Sequence, residues 1–192
     1  MRFGANTVAE ADNARLEYFV QKVFPKIKDS DEGGIMLFIS SYYEYVRLRN
    51  FLKSQNASFC LLGDYTEPRD VTRIRNWFRK GEKKIMLYTE RFHFYRRYKI
   101  GGVRNLIIYS LPQRKEFFPE VSVSCKIGYF FSHWSANSLK LNFEVVNMLE
   151  GADDMTCTVL FSQFDQLQLE RIVGTTSARR MITSEKGVFV FC

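Results

Sequence analysis

The sequence is poor in the residues that most enzymes rely on. It holds 2 histidines, His93 and His133, in 192 residues. A nucleophile–histidine–acid arrangement has few ways to form from so small a supply, and no Gly-x-Ser-x-Gly elbow is present to present a nucleophile. None of the 11 glycines is followed by lysine. That removes the P-loop, which needs glycine for close backbone approach, lysine for the β- and γ-phosphates and Ser/Thr for magnesium. The 4 cysteines, Cys60, Cys125, Cys157 and Cys192, form no Cys-x-x-Cys pair, so no zinc site is expected. Cys60 and Cys157 lie inside apolar runs, as buried reduced thiols do, and suit the cytosol or nucleus. No apolar run approaches the ~18–20 residues of a membrane-spanning helix. Residues 1–6 lack the apolar core of a signal peptide, so no membrane partner is expected. There is no internal repeat and no low-complexity tract.

What is abundant points elsewhere. Hydrophobic residues make up 46% of the chain, enough for a packed core. Aromatics reach 16%, with 18 Phe and 10 Tyr, which leaves candidates for stacking beyond those the core needs. Lys plus Arg number 28 against 21 Asp plus Glu, a net charge of +7. A polyanionic partner fits that balance, because phosphate contacts carry much of nucleic-acid affinity.

Residues 8–24 space Leu16, Phe19, Val20, Val23 and Phe24 along one helical face. Pro25 is expected to end that helix. A polar linker follows from Lys26 to Gly34; its Asp31-Glu32-Gly33-Gly34 precedes a strand instead of ending one and reads as solvated. Ile35–Ile39, Phe59–Leu62, Lys84–Tyr88 and Asn105–Tyr109 are short apolar runs, as expected of strands covered on both faces. Helix-length segments separate them. Ser40 and Ser41 can cap the first, Thr66 the second, with Pro68 in its first turn and Gly81 as its stop. A further strand is expected over Thr156–Phe161, a helix over Phe164–Val173 and a last strand over Val188–Phe191. Strands alternating with helices imply an α/β fold with a mainly parallel sheet and right-handed crossovers.

The segment 122–145 breaks this rhythm. Glu120-Val121 stands before it and Glu144-Val145 at its end. Joining Pro119-Glu120-Val121 to Val146-Asn147-Met148-Leu149 restores a continuous helix. The 24 residues read either as an insertion, such as an in-frame retained intron, or as an ordinary surface loop. A structureless loop of that length is uncommon in a compact domain.

Tyr88 to Ile100 is the functional candidate. It lies where a buried strand ends and a crossover begins, the place where open α/β sheets bind ligands. Cations and aromatics alternate in it, as on a nucleic-acid surface. Thr89 suits either a phosphate contact or a helix N-cap. Arg91, Arg96, Arg97 and Lys99 suit an RNA backbone track, a solvated crossover or a protein partner. Phe92 and Phe94 are expected to pack in the core, Tyr95 remains a stacking candidate, and His93 is expected to hydrogen-bond locally.

The order of elements resembles the second RecA-like domain of superfamily-two helicases. Leu61-Leu62-Gly63-Asp64, Trp77-Phe78-Arg79-Lys80-Gly81, Ile85 to Thr89 and Val103 to Pro112 all resemble stretches of that domain. Those helicases follow their threonine with an acid and Arg-Gly-x-Asp; here Thr89-Glu90 is kept, but Arg97 and Lys99 stand where glycine and aspartate would. After Leu-Pro those helicases carry an arginine box that reaches the ATP γ-phosphate; here Gln113-Arg114-Lys115-Glu116-Phe117-Phe118 follows. A missing arginine finger argues against NTP hydrolysis. Phe38-Ile39-Ser40-Ser41-Tyr42, Val46-Arg47-Leu48-Arg49-Asn50, Thr89 to Tyr98 and Arg104 to Pro112 narrow the match. Over nearly the whole chain outside 122–145, these residues closely resemble the digestive organ expansion factor family, helicase-like proteins of the nucleolar small-subunit processome.

The resemblance implies a three-layer RecA-like domain over 31–192, preceded by a helix and linker over 1–30 and interrupted at about 122–145. It implies a C-terminal portion of a longer, nucleolar protein that binds pre-ribosomal RNA, small nucleolar RNA and processome proteins without cofactor, metal or catalysis. Ser40, Gly63, Thr89, Arg91, Arg96, Arg97 and Lys99 are the residues expected to make those contacts. A fragment of an active ATP-dependent RNA helicase and a purely protein-binding scaffold stay open as alternatives.

Overall fold

A computed structural model describes residues 1–28, 33–124 and 156–189. Among them, α1 (Val8–Tyr18) runs through a π-turn (Phe19–Val23) into α2 (Phe24–Lys28). There follow β1 (Ile35–Ile39), α3 (Tyr42–Ser54), β2 (Phe59–Leu62), α4 (Pro68–Arg79), β3 (Ile85–Thr89), α5 (Glu90–Arg96) and β4 (Asn105–Ile108). Then come α6 (Phe117–Ser124), β5 (Thr156–Val159), a 3-10 turn (Gln163–Asp165), α7 (Gln166–Val173) and α8 (Thr175–Thr183). No helix among the described residues is long and apolar enough to cross a membrane.

The strands form one parallel sheet in the order β2-β3-β1-β4-β5. Register follows the apolar runs: Leu37 of β1 sits between Leu87 of β3 and Ile107 of β4. Successive side chains point to opposite faces, so each buried run feeds two cores. Met36, Phe38, Met86, Tyr88, Leu106 and Ile108 pack under α4, α5, α7 and α8 through Phe78, Phe92, Leu169 and Met181. Ile35, Leu37, Ile39, Leu87, Ile107 and Tyr109 pack under α1–α2 and α3 through Phe19, Phe24, Leu48 and Leu52. The leftward crossover, β1 to β2, carries α3 on the second face. The rightward crossover from β2 to β3 carries α4 on the first face, and that from β3 to β4 carries α5 there. That split is what right-handed connections require.

Several expectations need correction. Pro25 does not end the first helix; the chain stays helical to Lys28 and buries Ile27. The π-turn explains this, because the Phe24 N–H bonds the Phe19 carbonyl five residues back. The widened turn removes the normal helical register into which the proline ring would otherwise clash. Burying a side chain the size of Ile27 is worth about 1.5–3 kcal/mol. Thr66 does not cap α4; Glu67 is the N-cap, and the Thr66 hydroxyl accepts from the Gly63 N–H at 2.9 Å. The last expected strand is absent where it is described: Val188 and Phe189 are not in the sheet, and Phe189 packs near Phe161 with ring centroids 6.3 Å apart. In its place Arg2 bridges Phe161, and its N–H donates to the Gly187 carbonyl at 2.8 Å. Helix α8 was not anticipated. Of the segment 122–145, Ser122–Ser124 continue α6, while 125–145 and Val146–Leu149 lie outside the described residues.

Candidate nucleic-acid interface at the carboxyl edge of the sheet

Because the strands are parallel, their carboxyl ends meet on one edge, with β1 flanked by β3 and β4 where the winding direction reverses. Two hydroxyl contacts organise this edge. The Ser40 N–H and hydroxyl both reach Ser110 Oγ, at 2.8 and 2.9 Å. The Thr89 hydroxyl donates to Asp64 Oδ1 at 3.0 Å and accepts from the Phe92 N–H at 3.2 Å, capping α5. Glu90 is buried and takes the Gln113 N–H at 3.0 Å and the Arg114 N–H at 3.3 Å. Burial pushes its carboxyl pKa up, against the pull of those two amides and the Arg114 charge. The loop after β4 is thus tied to the first residue of α5.

The β1–β4–β5 half of the edge is filled from within. Arg15 of α1 is buried, pairs with buried Glu44 of α3 through Nη1, and holds both Asp165 oxygens through Nη2 at 3.0 Å. Its guanidinium also lies 5.2 Å from the Phe3 ring centroid. Burial raises the Glu44 pKa, and the Arg15 charge is the main force opposing it.

At the β2–β3 half Thr89 itself is buried, 3% exposed. Arg91 is exposed there, 3.9 Å from Asp64. Ser40, Thr89 and Arg91 therefore gather at the edge. Gly63 is at the edge but buried, with a Cβ position only 3.0 Å from the Tyr45 ring, so its glycine serves the packing of Tyr45. Arg96, Arg97 and Lys99 are carried to the far end of α5. Arg97 adopts φ 43° as the C-cap and sits 3.5 Å from Glu120; the Lys99 carbonyl accepts from Arg75. Those three are exposed but do not line the same rim as Thr89. His93 is buried between the Tyr88 hydroxyl and Glu120, each at 3.1 Å, with no access for chemistry. Phe92 is core as expected, but Phe94, also expected there, is 37% exposed and lies under Arg114 at 4.6 Å, and Tyr95 is exposed.

Sequence reasoning missed the aromatic residues on this rim. Tyr42 and Tyr43 open α3, and Tyr65 follows β2; they are 45%, 63% and 82% exposed. Tyr42 meets Tyr65 edge to face with centroids 5.7 Å apart, and Arg47 lies over Tyr43 at 5.6 Å. Their positions just past strand ends were a usable signal; the identity of tyrosine was not, since Tyr88 and Tyr109 are fully buried. Among the described residues no group of His, Cys, Asp and Glu could hold a metal ion. Burial pushes the Cys60 thiol up to about 12, which makes it inert.

Comparison with known proteins fits this architecture. The C-terminal domain of the DEAD-box protein Dbp5 superposes with a TM-score of 0.56 at 12% identity, covering 94% of this chain and 82% of that one. The E. coli DEAD-box protein SrmB, solved with the regulator of ribonuclease activity A, superposes at 0.52 and 12% identity, covering 89% and 80%. The fold is therefore that of a RecA-like second helicase domain. In sequence, the Arabidopsis thaliana protein NUCLEOLAR FACTOR 1 is 57% identical over 100% of this chain and 22% of its own length. The human U3 small nucleolar RNA-associated protein 25 homolog is 37% identical over 99% of the chain and 23% of its own length. The chain thus spans about a fifth of these relatives. The family described as Utp25, C-terminal domain, matches residues 1–191, and the chain belongs to it.

Proposed function

We propose that this chain is a non-catalytic, helicase-like part of the small-subunit processome that binds RNA at the carboxyl edge of its sheet. In this reading it acts with U3 small nucleolar RNA in pre-ribosomal RNA processing, within the nucleolus. The names of its relatives, a nucleolar factor and U3 small nucleolar RNA-associated proteins, support the setting. One observation carries the mechanism. The edge keeps the capping Thr89 and exposed Arg91, while the loop at Gln113-Arg114 is pinned by Glu90 and carries no arginine box. In this reading the chain keeps the binding role of a motor domain without its hydrolytic role.

Filter binding of single-stranded RNA across a salt series tests this. Affinity should fall with a log–log slope of about −0.7 per phosphate contacted. Arg91→Glu should weaken binding and flatten the slope. Arg96→Glu tests the distant end of α5 separately. A salt-independent affinity assigns the edge to a protein partner, and RNA-stimulated ATPase in the full-length protein overturns the non-catalytic reading.

A further inference from the structure

We infer that Tyr42, Tyr43 and Tyr65 form a platform on which unpaired bases of single-stranded RNA stack. The inference rests on the reading that the edge binds RNA, and adds how the bases are held. Among the described residues half of the aromatics are buried, and three of the six exposed ones stand just past the ends of β1 and β2, on either side of β3. They are also held in place. Tyr42 leans on Tyr45 with centroids 5.8 Å apart, and Tyr45 fills the space that Gly63 leaves open. Tyr65 follows Asp64, which is anchored to Thr89 at 3.0 Å. The rings are therefore presented by a rigid base, which lowers the entropy lost when a ligand stacks.

The charge around the rings selects the occupant. Arg47 flanks the platform at Tyr43, and the exposed Arg91 lies beyond Asp64, whose carboxylate it faces at 3.9 Å. A strand of RNA has a negative backbone for these cations and a π-face on every base for the tyrosines, whatever its sequence. Paired RNA hides its bases, so the platform favours single strands over duplex.

Fluorescence anisotropy on the purified chain decides the matter, using an oligouridylate and an abasic oligomer of equal length and charge. The oligouridylate should bind more tightly. Tyr65→Ala, at an exposed position outside the core, should weaken oligouridylate binding by about ten-fold and leave the abasic oligomer unchanged. Tyr65→Trp should retain the wild-type preference. Equal affinity for the two oligomers overturns stacking while leaving backbone binding intact, and gives the tyrosines to a protein partner. A preference for bases that survives both Tyr65→Ala and Tyr42→Ala also overturns it. No binding of either oligomer overturns this inference together with the RNA-binding reading beneath it.

Discussion

His93, expected from the sequence to hydrogen-bond locally, does so from a buried position. Its imidazole is enclosed by the Tyr88 hydroxyl, Glu120 and the Phe117 ring, whose centroid is 5.2 Å away. Burial lowers its pKa, the Glu120 bond and charge raise it less, and the Arg97 charge adds to the lowering. The unfolded chain therefore binds this proton more readily than the folded one. The stability linked to His93 is complete above its ordinary value of about 6.5 and is lost as pH falls toward the lower folded value. Urea midpoints measured between about pH 7 and 5 should fall for the wild type. His93→Gln, which can keep a bond to Glu120, should be less stable at neutral pH and show a flatter dependence. An unchanged slope would show that other groups carry the acid sensitivity.

At the scale of elements, continuous apolar runs were the most legible feature. Ile35–Ile39 and Phe59–Leu62 are strands with the ends expected from the sequence, because parallel strands are covered on both faces and leave no polar interruption. Helix ends were less legible. Pro25 is tolerated through a π-turn that no local pattern announces, and Thr66 bonds Gly63 instead of capping. The apolar run at Val188 looked like a strand because periodicity cannot separate a pairing segment from one that only packs. Of the site residues expected from the sequence, Thr89 is buried at the end of β3 and Arg91 is exposed beside it, while Arg96, Arg97 and Lys99 follow at the far end of α5. Such displacement depends on the length of α5 and its left-handed end at Arg97, which the charge pattern does not encode. Glu90 ties α5 to the loop after β4. Glu90→Ala leaves the Gln113 and Arg114 N–H groups without their acceptor and should cost about 2 kcal/mol or more in chemical denaturation. Glu90→Gln keeps one acceptor oxygen and should cost less.

Across the whole molecule, Arg15 joins three distant segments: α1, the first turn of α3 and the turn after β5. Removing it leaves Glu44 buried without its cation. Arg15→Ala should therefore destabilise the chain by about 3–5 kcal/mol. Replacing the pair together, Arg15→Met with Glu44→Leu, should recover part of that loss, since it removes the buried carboxylate while Asp165 still lacks its cation. Denaturation of the single and double variants checks this as a cycle; additive losses would show that the two residues act independently.

The pairing of the Phe3 N–H with the Phe161 carbonyl, at 3.0 Å, imposes an order on biosynthesis. The stripe Phe19, Val23, Phe24 and Ile27 leaves the ribosome ahead of the strands it packs on. Ile107, Tyr109 and Leu160, against which it packs, are translated much later. At ~5–20 residues per second the interval is on the order of ten seconds. During it the nascent helix lacks the sheet face that covers it in the folded chain.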